Sequence, residues 1–241
     1  IGKASEVQDP PEDQLQTLIN LYKQGQLEQA LDQAQYLLQQ FPKSVMLYNI
    51  FGAVCQGLGQ LDASINSFKK ALSIKPGSAE TYSNMGVALQ EKGKLEEAIE
   101  SYKKALAIKP DYAAYNNMGN ALQEKGKLEE AIESYKKALA INPENADAYN
   151  NLGNALQDQG NLEESIEAYK KALSIKPDYA DGYYNMGNAL QDQGNLEESI
   201  EAYKKALLIK PDYADGHYNM GNVLQDQGNL EESIEAYKKA L

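Results

Sequence analysis

Apolar and polar positions follow a helical period in the segment Ala146–Tyr179, which divides at Gly160 into two amphipathic stretches. In the first stretch, here called helix A, apolar residues cluster on one side of a helix that turns about 100° per residue. That side carries Tyr149, Leu152, Gly153 and Leu156, and the polar side carries Asp147, Asn151, Asn154 and Asp158. In helix B the apolar side carries Leu162, Ile166, Tyr169, Ala172, Leu173 and Ile175. The pattern predicts two helices that share one apolar seam.

Residues that end and start helices mark the boundaries of this pair. Gly160 suits the left-handed conformation that ends a helix, and Asn161, with a glutamate three residues later, is a capping signature for helix B. Pro177 ends helix B because proline has no backbone N–H to donate. Gly153 and Ala172 are small where two helices would approach closely. We therefore predict an antiparallel helical hairpin.

The same pattern recurs every 34 residues along almost the whole chain, with one interval of 33. It is marked by one glycine of helix A in each repeat after the first: Gly52, Gly86, Gly119, Gly153, Gly187 and Gly221. Repetition at this length is typical of a solenoid, in which each repeat packs only against its neighbours. The shorter interval falls at Pro110–Tyr115, where we expect the loop to tighten while Gly119 keeps its packing.

The residues at these offsets resemble the tetratricopeptide repeat (TPR): an aromatic residue, Leu-Gly, a large residue, Gly, Ala or Ser, an aromatic residue, Ala and Pro. Tyrosine stands in place of the family's tryptophan, and His217 takes that position in the last repeat. The resemblance implies an all-α TPR solenoid, a right-handed superhelix of antiparallel helix pairs with the A helices on the concave face. After an N-terminal tail at 1–10, interpreted as a tag remnant, we define seven repeats: 11–44, 45–78, 79–112, 113–145, 146–179, 180–213 and 214–241, the last incomplete.

Repeat one departs most from the pattern. Leu18 replaces the glycine of helix A, and Ala34 and Leu37 replace the aromatic and the small residue of helix B. Terminal repeats of solenoids are typically atypical in this way. We therefore predict that repeat one is an end cap.

Composition and charge exclude several classes of protein. All 23 basic residues are lysine, against 35 acidic ones, so the net charge is -12. This balance argues against a nucleic-acid partner, whose phosphates require basic side chains, and against anionic membranes. No apolar stretch reaches the roughly 18 residues needed to span a bilayer, and the N-terminus lacks the apolar core of a signal peptide. We expect a cytoplasmic protein.

Residues suited to catalysis are scarce. His217 and Cys55 are the only histidine and cysteine, and each occupies a position that packs in the other repeats. They are too few for a zinc site, no glycine-rich phosphate loop is present, and the acidic loops lack the ligand order of a calcium loop. The sequence predicts no enzyme, no metal and no cofactor.

The polar side of helix A carries a stripe of asparagines. At the sixth position of the repeats stand Asn84, Asn117, Asn151, Asn185 and Asn219, and at the ninth Asn120, Asn154, Asn188 and Asn222. Asparagine is a poor residue for the middle of a helix, which favours a functional reason for the stripe. Acidic residues flank it, at Asp147, Asp181 and Asp215 on one side and Asp158, Asp192 and Asp226 on the other; Tyr184 and Tyr218 add stacking surface.

The sixth-position row is similar to the asparagine row in the TPR part of O-linked N-acetylglucosamine transferases, where amides hold the backbone of an extended peptide. An amide offers donors and an acceptor to any peptide unit, and the acidic flanks favour a basic peptide. The alternative is that the amides bond to neighbouring helices or face water. The lysine and arginine clamp of carboxylate-binding TPR proteins has no counterpart here, because Asp, Asn and Tyr occupy those positions.

The two ends of the array carry further candidate surfaces. Leu15, Ile19, Tyr22, Met46 and Ile50 form an apolar patch where other repeats are polar, either a contact site or a surface covered by residues 1–10. At Leu241 the sequence stops inside helix B, so either it continues in a longer protein, which we favour, or the exposed seam contacts a partner.

These observations predict an interaction module that binds an extended, basic peptide in the groove of the A helices. One alternative is a structural scaffold, a homo-oligomer that associates through the chain ends. Another is that the repeats recruit substrate for a longer enzyme, such as a glycosyltransferase.

Overall fold

The computed structural model describes residues 9–241, and within them it contains fourteen α-helices and no β-strand. The A helices are α1 Glu12–Lys23, α3 Val45–Gly57, α5 Ala79–Glu91, α7 Tyr112–Glu124, α9 Ala146–Asp158, α11 Ala180–Asp192 and α13 Ala214–Asp226. The B helices are α2 Leu27–Gln40, α4 Leu61–Ile74, α6 Leu95–Ile108, α8 Leu128–Ile141, α10 Leu162–Ile175, α12 Leu196–Ile209 and α14 Leu230–Ala240. The predicted all-α TPR solenoid is confirmed.

The chain divides into two compact units, Ile1–Ala121 and Leu122–Leu241, here called the N-terminal and C-terminal halves. In the N-terminal half each helix from α1 to α6 packs against the next along the chain, and in the C-terminal half the same holds from α8 to α14. Within the C-terminal half α11 also contacts both α9 and α13. The A helices of that half therefore lie side by side and form one face, which we call the A-helix face.

A tyrosine ring over a glycine fixes the crossing of the two helices in a repeat. A Cβ atom on Gly153 would lie 2.5 Å from Cε1 of Tyr169, so only glycine permits this approach. The Tyr169 side chain is fully buried, and Ser165 Oγ donates a hydrogen bond of 2.8 Å to the Gly153 carbonyl. This contact is the predicted apolar seam of helices A and B.

The turn between the two helices depends on a glycine with positive φ. Gly160 has φ +85°, and the N–H of Asn161 donates to the Leu156 carbonyl at 2.9 Å. The predicted capping signature at Asn161 is wrong, because its side chain makes no cap and instead donates through Nδ2 to Gln159 Oε1 at 2.7 Å. The turn at Gly160 lets the backbone N–H of Asn161 bond to a free carbonyl at the end of helix A. The Asn161 side chain therefore points toward helix A and not toward the start of helix B.

The 33-residue interval shortens the linker before α7. Three residues, 109–111, separate α6 from α7, whereas four residues, 75–78, separate α4 from α5. Asp111 caps α7 by accepting a 3.0 Å hydrogen bond from the N–H of Ala114, and Tyr112 becomes the first helical residue. The predicted tightening of the loop is confirmed, and the packing of Gly119 stays a prediction.

Two residues of the predicted N-terminal tail contact the repeats. Pro10 is buried, and Asp9 Oδ1 accepts a hydrogen bond of 2.5 Å from Ser44 Oγ, the residue that caps α3. The tail as predicted, 1–10, is therefore too long by these two residues. The remainder of it, including the interpretation as a tag remnant, lies outside the described residues.

Candidate functional site

The sixth-position asparagines of the last repeats bond across neighbouring repeats. Asn185 Nδ2 donates to Asn150 Oδ1 at 3.1 Å. Asn219 Nδ2 donates to the Tyr184 hydroxyl at 2.9 Å and to Asn188 Oδ1 at 3.1 Å. Asn150 is buried, whereas Asn185, Asn188 and Asn219 are only partly buried, as are Asn84, Asn117 and Asn151. The amide groups thus join adjacent A helices while part of each side chain stays at the surface.

The ninth-position asparagines bond within their own repeat. The hydroxyls of the helix B tyrosines lie 2.6 to 2.8 Å from Oδ1 of Asn154, Asn188 and Asn222. Burial raises the pKa of Tyr169 and Tyr203 well above the ordinary range, so both hydroxyls keep their protons and act as donors. The alternative reading of the stripe, amides that bond to a neighbouring helix, is therefore correct for these three carbonyl oxygens.

The bonds leave complementary groups at the surface. Among the described residues, the Nδ2 groups of Asn154, Asn188 and Asn222 have no protein partner, and neither do the Oδ1 atoms of Asn185 and Asn219. The ninth row therefore offers N–H donors and the sixth row offers acceptors. A peptide backbone needs both kinds of group.

Two of the six flanking aspartates take part in bonds between repeats. Asp158 and Asp192 accept hydrogen bonds of 2.7 and 2.6 Å from glutamines of the preceding repeat. Asp147 and Asp181 act within their own repeats, where burial and these carboxylates raise the pKa of Tyr179 and Tyr213. All six aspartates, including Asp215 and Asp226, are exposed, so their negative charge remains at the surface.

The tyrosines that end repeats five and six lie against the A helix of their own repeat. Burial and the carboxylate of Asp147 raise the pKa of Tyr179 to about 12. The centroid of the Tyr213 ring lies 4.9 Å from that of Tyr184, and burial together with the carboxylate of Asp181 raises the pKa of Tyr213. Lys176 and Lys210 place Nζ 4.3 and 4.2 Å from the centroids of these rings, within the range of a cation–π contact. Sequence reasoning missed this pair, although the repeated Lys-Pro-Asp-Tyr was a visible signal.

The two predicted stacking tyrosines differ in what they can offer a ligand. Tyr184 is half-buried and contacts Tyr213, while Tyr218 is 55% exposed, with its ring 5.6 Å from that of Tyr237. Tyr218 therefore presents more stacking surface than Tyr184.

The predicted apolar patch is smaller than expected. Leu15 is only 9% exposed and belongs to the core of repeat one, so its place in the patch is wrong. Ile50 packs against the same core, and Ile19 is half-buried. Tyr22 and Met46, at 40% and 46% exposed, carry the apolar surface. Leu15 lies on the core side of α1, in one cluster with Leu18 and Leu37.

The two residues considered for catalysis are both buried. His217 is 7% exposed, and its Nε2 lies 2.9 Å from the Pro211 carbonyl. Cys55 is fully buried, which raises the pKa of its thiol. Both positions are packing positions, as the sequence predicted.

Comparison with known proteins agrees with this architecture of stacked helix pairs. The TPR repeat model matches residues 57–93, 88–126, 119–160, 153–194 and 187–228, and further tetratricopeptide repeat models match 19–44 and 218–241. The chain therefore belongs to the tetratricopeptide repeat family. A comparison with curated protein sequences found no match. The resemblance of the asparagine row to O-linked N-acetylglucosamine transferase stays a prediction.

Solved structures with the same fold include several TPR proteins. A crystal structure of MamA protein is 31% identical, with a TM-score of 0.64, and the match covers 71% of this chain and 94% of that one. PilW, described as a widely conserved type IV pilus biogenesis factor, is 25% identical with a TM-score of 0.78 and covers 88% and 96%. YrrB, a TPR protein with an unusual peptide-binding site, is 22% identical with a TM-score of 0.63 and covers 76% and 95%. Family and neighbours support a protein-interaction scaffold. Across residues 9–241, no helix has the length and apolar character to cross a membrane.

Proposed function

We propose that the A helices of each half bind an extended, basic segment of a partner protein. The observation that carries this proposal is that partly buried asparagines leave N–H donors in the ninth row and carbonyl acceptors in the sixth row. Asn154 and Asn188 offer N–H groups, and Asn185 and Asn219 offer carbonyl oxygens, at intervals set by the repeat. A backbone contacted in this way needs no particular side-chain sequence.

The charge of this face selects the partner. Asp215 and Asp226 are exposed, and the carboxylates that bond to neighbouring repeats are exposed as well. Lysine or arginine side chains of a bound segment would pair with these groups at the rim, where charge complementarity affects the association rate and the choice of partner. Binding should weaken as salt is added, because the charges are solvent-accessible.

The test starts from a peptide-display selection against the immobilised chain, which we expect to enrich peptides of positive charge. Enriched peptides are then measured by fluorescence anisotropy against the triple variant Asn151→Ala, Asn185→Ala, Asn219→Ala. We expect the triple variant to bind at least about tenfold more weakly, a loss of about 1.4 kcal/mol. Enrichment of acidic peptides would contradict the charge of the proposed ligand.

A matched control separates the site from stability. The variant Asn161→Ala, Asn195→Ala, Asn229→Ala removes the same three side-chain groups from the same repeats, but from exposed turns. It should bind as the unmodified chain does, and circular dichroism should show the same helix content for both triple variants. Equal affinity of the two triple variants would refute the assignment of the site.

A second candidate function, self-association, is favoured by exposed apolar residues on the first two A helices. Tyr22 and Met46 are 40% and 46% exposed. Light scattering over a concentration series tests this function: a mass that rises with concentration supports it, and a monomer at every concentration excludes it.

A further inference from the structure

The tetrapeptide Lys-Pro-Asp-Tyr occurs three times between repeats, at 109–112, 176–179 and 210–213. In the last two copies the tyrosine is the residue directly before an A helix. There Tyr179 and Tyr213 each fold back onto the A helix of the repeat that they end, within the influence of its second residue, Asp147 or Asp181, and the Tyr213 ring lies 4.9 Å from that of Tyr184. The chain thus fills a tyrosine socket on the A-helix face of repeats five and six.

The first copy has the same sequence and a different position. Because one residue is missing, Tyr112 is the first residue of α7, and Asp111 takes the capping place before the helix. The backbone of Lys109 is extended, with φ -149° and ψ 115°, whereas Lys176 has φ -127° and ψ 85°. The tyrosine of this linker therefore does not occupy the place that corresponds to Tyr179.

A cavity of about 320 Å³ lies at that place, entirely within the N-terminal half. Ala79, Glu80 and Asn84 of α5 line it, and these residues correspond to the Ala-Asp and Asn positions beside the filled sockets. Lys109 and Asp111 complete its rim. Its volume is at the lower end of the range for small-ligand pockets, which suits one aromatic ring.

The groups around the cavity match those around Tyr179. Glu80 stands at the position of Asp147, whose carboxylate acts on the Tyr179 hydroxyl. Lys109 stands at the position of Lys176, whose Nζ lies over the Tyr179 ring. Ala105 and Ala114, both buried, add apolar surface. We propose that this cavity binds the phenol side chain of a tyrosine in a partner segment. The proposal rests on the function proposed above, because it places one side-chain pocket beside the backbone-binding row that begins at Asn84.

The same chemistry discriminates against related side chains. Phenylalanine lacks the hydroxyl that Glu80 would accept a bond from, so it should bind more weakly. A phosphorylated tyrosine would bring negative charge next to Glu80 and Asp111, and like charges repel. The cavity should therefore select unmodified tyrosine.

The test uses 4-methylphenol, the side chain of tyrosine, as a probe in a titration followed by backbone amide NMR shifts. We expect saturable shifts at Ala79, Ser83, Asn84 and Ala114, and at least about tenfold weaker binding of toluene, which lacks the hydroxyl. Insertion of one aspartate between Ala113 and Ala114 restores the 34-residue interval and places Tyr112 in the socket. This variant should lose the 4-methylphenol shifts. Unchanged binding by the insertion variant, or equal binding of toluene, would overturn the proposal.

A reciprocal variant tests the socket even if the insertion prevents folding. Tyr213→Ala empties a filled socket and should create a second 4-methylphenol site, seen as new shifts at Asp181 and Tyr184. Tyr36→Ala removes a tyrosine that is 58% exposed and should create none. Absence of a new site in Tyr213→Ala would also count against the proposal. The probe reports on the socket without any peptide, so a failure here leaves the asparagine rows untouched, and a failure of peptide capture leaves the probe result standing.

Discussion

Repeat one and repeat five build the same helix pair with the large and small side chains exchanged. In repeat five, Gly153 of helix A meets Tyr169 of helix B. In repeat one, Leu18 of helix A meets a helix B whose corresponding residue is Ala34, and both are fully buried in one cluster. The volume at the crossing is conserved between the two repeats, while its distribution between the helices is reversed.

The exchange of large and small residues between repeats one and five indicates which part of the repeat pattern packing requires. Cores are packed at nearly constant density, so a crossing tolerates either arrangement of sizes but not two large or two small residues. A search for glycine and tyrosine at fixed offsets misses repeat one, although a tetratricopeptide repeat model still matches residues 19–44. The sum of the two volumes is what the helix pair requires.

The largest expected loss of stability comes from a substitution that places two small residues opposite each other at the helix crossing of repeat one. Leu18→Ala opens a cavity in a fully buried cluster, and we expect it to lower the free energy of unfolding by about 2–5 kcal/mol. Urea unfolding followed by circular dichroism measures the change. Leu208→Ala, at a side chain that is 83% exposed, is the control and should change stability little. Equal midpoints for the two variants would contradict the comparison.

A smaller loss should follow from enlarging the small residue of repeat five. Gly153→Ala places a Cβ atom 2.5 Å from the buried Tyr169 ring. We expect a net loss of about 1–3 kcal/mol, despite the better helix propensity of alanine. Gly77→Ala, where an added Cβ meets nothing within 4 Å, is the control in the same unfolding experiment.

The double variant Gly153→Leu, Tyr169→Ala copies the arrangement of repeat one into repeat five. It should be more stable than the sum of its single variants predicts, by about 0.5–3 kcal/mol, because the two residues contact each other. Additive losses would show that total volume is not what the crossing requires.

The smallest effect concerns the ends of the two repeats. Repeat one ends in Ser44, a cap, whereas repeat five ends in Tyr179, whose pKa is raised from 10.0 to about 12. Between these values the folded state holds a proton that the unfolded state has lost, so the contribution of Tyr179 is complete below pH 10 and declines as pH rises toward 12. The free energy of unfolding, measured from pH 8 to 12, should therefore converge between the unmodified chain and Tyr179→Phe. Parallel curves would contradict this account, and lysine titration affects both proteins alike.

Much of the fold was predictable because it depends on spacing along one repeat. Helical period, the glycine at each turn and the proline after each of the first six B helices are local signals. They predicted the helix pairs and the all-α TPR class. The polar stripe was equally visible, since it lies on one side of helix A. Its bonding was not, because Asn185 bonds to Asn150 in the preceding repeat, at a distance that only stacking defines.

The failures have the same physical origin. The side chain of Asn161 turns away from its expected cap because the backbone of Gly160 already closes the helix end. Leu15 is buried because it packs into the core cluster that α1 forms with α2 and α3. In both cases a rule based on neighbouring residues, the capping pattern or the helical period, was outweighed by a contact that those residues alone do not predict.

The sequence by itself determined the period, the helix pairs and the family, because each is set by residues within one turn or one repeat. Tertiary structure alone decided which atoms of the stripe stay without a partner, since bonds between packed helices use one end of each amide. It also decided that the tyrosines of identical Lys-Pro-Asp-Tyr segments stand at different positions relative to the next A helix. Because one residue is missing, Tyr112 becomes the first residue of α7, whereas Tyr179 precedes its helix. Tyr179 fills a socket, and the corresponding place beside Glu80 is an open cavity.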